Sequence, residues 1–104
     1  MFHVKHLYVK TTFAQPGAAD AVHIAELSPI EGTNMCAMKR LIEMLDGRNI
    51  TGIWSNNGTS IGIMNTPNRH VPHPDSYGAF PDISVCTLNA LQFEGLWMEA
   101  SAKL

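Results

Sequence analysis

The sequence predicts an α+β fold, a single domain in which a mainly antiparallel sheet packs against one principal helix. Three observations carry that reading. The chain has 104 residues, the length of one ordinary domain, with no room for a second core. Several short runs rich in β-branched and aromatic residues alternate apolar with polar and are bounded by Gly, Pro or Asn. One longer stretch, about 29–46, combines helix-start chemistry with apolar residues at helical spacing.

The first run, 3–13, reads as a strand, with Val4, His6 and Tyr8 on one side and Leu7 and Val9 on the other. Gln15, Pro16, Gly17 and Ala18 suit a type II turn, because Pro presets the first central position and Gly accepts positive φ at the second. Residues 18–27 fit a strand returning along the first better than a short helix capped by Asp20. Ser28, Pro29 and Glu31 then resemble a capping box with Pro at the first helical position. The predicted helix carries a stripe of Ile30, Met35, Ala37, Met38, Leu41, Ile42 and Leu45, and Gly47 stands where a left-handed cap would end it. Lys39, Arg40 and Glu43 form its solvated polar face, Lys39 and Glu43 being spaced for a pair. Gly32 and Asn34 weaken its first turns.

Asn57-Gly58 predicts a hairpin turned at 57–58. A two-residue loop there places Trp54 opposite Ile61, Ile53 opposite Gly62 and Gly52 opposite Ile63. Neither face of that hairpin is plainly polar, so both faces should be covered. One helix can cover only one of them. The segment from Ile83 starts as a strand, and beyond Gln92 it suits either more sheet or a helix interrupted at Gly95.

A long Pro-rich loop, 65–82, holds four of the six prolines and raises the main question of function. Proline favours extended or polyproline backbone, so the loop is stiff. His70, His73, Asp75 and Tyr77 are its candidates for acid-base chemistry. In extended chain His73 and Asp75 point to one side and suit a shared cation or proton, but a metal site lacks a third ligand of defined spacing. His3, His6 and His23 are available, with nothing that requires their approach. The prevailing expectation is therefore no bound metal and no cofactor, with loop histidines bonded to backbone or water. Tyr77 and Phe80, with Trp54 from the hairpin, are the candidate interaction residues, since aromatics on a stiff segment give contact area at low entropic cost.

Composition narrows the classes of function. Seven basic residues are scattered and offset by nine acids, which argues against a nucleic-acid partner. The N-terminus has no signal-like apolar run and nothing approaches a membrane span, so the expected setting is soluble and cytoplasmic. Cys36 and Cys86 stand in no metal or redox motif and read as reduced thiols. No P-loop, dinucleotide fingerprint or nucleophile elbow is present. Only 15% of residues are charged, against roughly 25% in typical soluble domains. Together with the two-faced hairpin, that points to a non-enzymatic module acting by association, as a homo-oligomer or with another protein as an adaptor or inhibitor. The alternative is a small enzyme or ligand-binding protein using 70–77.

Overall fold

The structure, a computed structural model, describes residues 6–14, 17–46, 49–63, 66–79 and 83–104. It is an α+β fold: an antiparallel sheet of seven strands with one helix at the C-terminal end. In chain order the strands are β1 (Leu7–Phe13), β2 (Ala21–Pro29), β3 (Met35–Leu45), β4 (Asn49–Ser55), β5 (Ser60–Ile61), β6 (His70–Pro72) and β7 (Ile83–Leu88). A 3-10 helix spans Pro74–Ala79, and α1 spans Ala90–Lys103. Across the sheet the order is β5-β4-β3-β2-β1-β7, with β6 added beside β3.

The principal helix is α1, and 29–46 is not helical. Ser28 and Pro29 end β2, Glu31 lies in the turn that follows, and Thr33 N–H donates to Ile30 O at 3.1 Å around Gly32, whose φ of +77° makes this a tight turn. The following residues form β3, and a β-bulge explains the misleading period. Leu27 pairs with Met38 and Glu26 with Arg40, so Lys39 is an extra residue on β3. Cys36, Met38 and Leu41 therefore share one face, while Arg40, Ile42 and Met44 share the other. One inserted residue turns a period of two into a spacing that imitates i, i+3, i+4. Arg40 is accordingly no solvated helix residue, and Lys39 and Glu43 are not neighbours on a helix surface.

Residues 18–27 lie mainly in β2, which pairs with β1 from Leu7↔Leu27 to Phe13↔Ala21, as the strand reading expects. Gly17 has φ +79°, while the rest of the expected turn, Gln15 and Pro16, lies outside the described residues, as does Gly47. The hairpin at Asn57-Gly58 is present with its register moved by one. Ser55 N–H donates to Thr59 O and Gly58 N–H to Ser55 O, which closes a three-residue loop with Gly58 at φ +109°. Trp54 therefore faces Ser60, and Ile53 faces Ile61. Gly52 lies against the backbone of Gly62, at a distance that a Cβ would reduce to 2.6 Å. Both faces of β4 are covered, with Ile53 in one apolar cluster and Trp54 in the other.

Helix α1 begins at Asn89, whose side chain accepts from Gln92 N–H while the Gln92 side chain accepts from Asn89 N–H. That capping box and the stripe Phe93, Leu96, Trp97, Ala100 were legible signals for it. Gly95 does not interrupt it. The stripe closes over Val22, Ile24, Ile42, Met44 and Ile53, and Phe93 is completely buried. A charge clamp fixes the helix further. Arg40 donates to Glu26 at 2.7 Å and forms two bonds to Glu94 of α1 at 2.7 and 3.0 Å, with its guanidinium over Phe93 and Trp97. Burial pushes the Glu26 carboxyl up, but hydrogen bonds from Arg40 and His6 prevail and hold it below its ordinary value.

Candidate functional site

The Pro-rich segment is more structured than a plain connection. β3 pairs with β2 along one edge, while its other edge is shared: β4 takes Arg40 to Leu45, and β6 takes Met35 to Ala37. The handover occurs at the bulge, where Met38 N–H donates to Arg69 O and Asn56 N–H to Lys39 O. β6 and the 3-10 helix then stand over the sheet face opposite α1.

Beneath them is a partly open cavity of about 260 Å³. Its floor is Val9, Thr11 and Phe13 of β1, His23, Ala25 and Leu27 of β2, and Met38 and Leu41 of β3. Its roof is Val71, Pro72 and Tyr77, with Ile83 at the side. Among the described residues no charged side chain lines it. The strand register orders the lining into rows: Phe13 and Ile83, then Thr11 and His23, then Val9, Ala25 and Leu41, then Leu27 and Met38. The polar groups are thus gathered in one row, and the other rows are apolar. Ala25, the smallest residue of the floor, sits in the row beside them and leaves the space open.

In the polar row Thr11 and His23 are cross-strand partners, and His23 is the cross-strand partner of Glu43 on its other side. Burial lowers the His23 pKa, and Glu43 offsets this in part, so the imidazole is neutral at neutral pH. Phe13 packs edge-on against the ring at 5.2 Å. Among the described residues, no polar side-chain atom is both sealed from solvent and without a partner. The Thr11 hydroxyl and the His23 ring make no hydrogen bond to a described residue, and both side chains line the cavity. A second recess, lined by His23, Glu43, Thr66 and Asn68, adjoins the first across Met38, Leu41 and Val71.

The loop residues singled out from sequence are dispersed around this cavity. His70 is exposed on β6, opposite Ala37. His73 Nδ1 accepts the Asp75 amide at 3.1 Å and His73 N–H donates to Asn34 O at 2.9 Å, so this residue fastens the start of the 3-10 helix. The Asp75 carboxylate is 3.5 Å from the same Nδ1. A nitrogen that accepts the amide proton carries none to share, so we read the contact as proximity within a turn. Among the described residues no three His, Cys, Asp or Glu side chains converge as a metal cluster would require. Tyr77 is half-buried in the roof and its hydroxyl donates to Pro72 O at 3.0 Å. Burial, with Cys36 nearby, raises its pKa. Trp54 is buried in the core on the cavity side of the sheet. Phe80 lies outside the described residues. Cys36 is buried and Cys86 exposed, both free.

Thr11 and His23 had no motif to announce them. Their only sequence signal is a polar residue at an inward position of an otherwise apolar strand, and that position exists only once β1 and β2 are paired. Among the described residues no helix is long and apolar enough to cross a membrane. Comparison with protein-family models, curated proteins and solved structures finds no match to this chain.

Proposed function

We propose that this chain is a binding module that takes up a small apolar molecule between its sheet and the Pro-rich segment. The supporting observation is the cavity itself: about 260 Å³, bounded mainly by aliphatic and aromatic side chains and furnished with two neighbouring polar groups in one row of its floor. Ligand sites have this form, a mostly apolar wall with few placed polar atoms. A cavity of roughly 150 Å³ with apolar walls is enough to take up benzene, so an alkylated ring is a fitting probe. Among the described residues no carboxylate or thiol lines the cavity beside Thr11 and His23, which supports binding over catalysis.

Calorimetric titration of the chain with butylbenzene tests the proposal. Binding should saturate at one molecule per chain, and Ala25→Leu, which places three further carbons in the cavity, should abolish it with the melting temperature unchanged or raised. Absence of binding by the parent, or full binding by Ala25→Leu, would remove this reading.

Association between copies of the chain, in a cytoplasmic setting, is a second reading. It is supported by β7, a six-residue strand whose outer edge pairs with no described strand, and by Leu91 and Met98, 85% and 72% exposed on α1. Sedimentation of the same samples decides it: a monomer at micromolar concentration would discard it.

A further inference from the structure

We propose that the cavity selects a neutral alcohol or phenol, with the ligand's hydroxyl seated between Thr11 and His23 and its apolar body along Ala25, Leu41 and Leu27. This rests on the binding reading above and adds the chemistry of the ligand and its orientation.

The orientation follows from the rows of the floor. Thr11 and His23 share one row, and the rows that follow, two residues apart along β2 at Ala25 and Leu27, carry no polar side chain, nor does the row of Phe13 and Ile83 on the other side. At about 3.4 Å per residue the floor runs roughly 14 Å from His23 to Leu27. A ligand with a single polar group and a long apolar body therefore places the polar group at that row and the body towards Leu27. Tyr77 has no proton to offer it, because its hydroxyl already donates to Pro72 O.

The charge of the ligand follows from what surrounds that row. An anion would face a neutral imidazole, and among the described residues no Lys or Arg lines the cavity to offset the desolvation. A cation would leave water for walls that carry no carboxylate among the described residues, Glu43 bordering the adjoining recess. An uncharged group avoids both costs. A hydroxyl answers both partners, because a neutral imidazole offers one donor and one acceptor nitrogen and the threonine hydroxyl serves in either sense. A ligand lacking the hydroxyl would strip water from Thr11 and His23 without replacing its hydrogen bonds, and that is the source of selectivity.

Calorimetric titration with 4-butylphenol, butylbenzene and 4-butylbenzoate, matched in their apolar part, tests this. The phenol should bind at least tenfold more tightly than butylbenzene, and the benzoate more weakly than either. His23→Leu and the isosteric Thr11→Val should each lose most of the phenol's advantage while leaving butylbenzene binding unchanged or tighter; melting curves of both variants verify the fold. Equal affinity of phenol and butylbenzene in the parent would overturn the selection and leave the binding reading standing. A phenol preference that survives both substitutions would overturn the assignment to Thr11 and His23, and tightest binding of the benzoate would overturn the claim of neutrality. If none of the three binds, the binding reading fails and this inference falls with it.

Discussion

On one face of the sheet a 14-residue helix lays Phe93, Leu96, Trp97 and Ala100 over Ile24, Ile42 and Ile53; on the other, β6 and a 3-10 helix stand over Val9, Ala25 and Leu41 and leave a cavity of about 260 Å³. The strands are common to both faces, so the difference comes from the covering elements. A helix presents a continuous stripe with a side chain every three or four residues, and an aromatic-rich stripe fills the grooves between strands. The prolines of the second cover interrupt any such period. Its contribution to the roof is Val71, Pro72 and Tyr77, and β6 ties it to Met35–Ala37 rather than to the middle of the sheet. The charged residues divide in the same way. Arg40, Glu26 and Glu94 lock the helix down, whereas no charged side chain among the described residues lines the cavity. A regular amphipathic cover yields a filled core; an irregular one, on the same sheet, leaves a cavity.

The contrast can be broken most forcefully on the helix side. Phe93→Ala removes the largest completely buried side chain and the ring beneath Arg40, and should cost about 3 to 5 kcal/mol of stability in urea denaturation. A loss below about 1 kcal/mol would mean that α1 is not the cover that holds the sheet.

A matched pair of enlargements sharpens it. Ala100→Leu inserts three carbons into a fully buried contact between helix and sheet and should destabilise by about 1 to 3 kcal/mol. Ala25→Leu makes the same chemical change on the cavity side, where there is room, and should stay within about 0.5 kcal/mol of the parent. Equal costs for the two would show that both faces are packed alike.

The smallest effect is one of pH. The folded His23 pKa lies below its ordinary value of 6.5, so the unfolded chain binds that proton more readily than the folded one. The stability associated with a neutral His23 is complete above 6.5 and is lost as pH falls from there towards the folded value. Glu26, also lowered in the folded chain, begins to lose its contribution only below its ordinary value of 4.5, so the loss that begins at 6.5 is the one associated with His23. Denaturation midpoints measured between pH 7.5 and 5 should fall less for His23→Gln than for the parent. Identical slopes would mean that His23 is not desolvated in the fold.

Local chemistry determined a good part of this molecule. The α+β class, the strands containing Leu7 to Phe13 and Ile83 to Leu88, the turn at Asn57-Gly58 and the need to cover both sides of Trp54 and Ile53 all follow from alternation, turn residues and apolar content. The capping residues Asn89 and Gln92 and the Phe93 stripe also state a helix within a few positions of each other. Long-range pairing decided the remainder. Residues 35–45 carry apolar side chains whose spacing satisfies a helix and a bulged strand equally well, and β2 and β4 on either side select the strand by satisfying its backbone groups. The hairpin register depended on whether the turn used two residues or three, and the close approach of Gly52 to Gly62 is the mark of that choice. His70, His73 and Asp75 drew attention because they are neighbours in sequence, while Thr11 and His23 are neighbours only across two paired strands. Secondary structure is written in spacings of two to four residues, whereas the cavity is made of side chains from β1, β2, β3 and the 65–82 segment, and no local pattern encodes which of them meet.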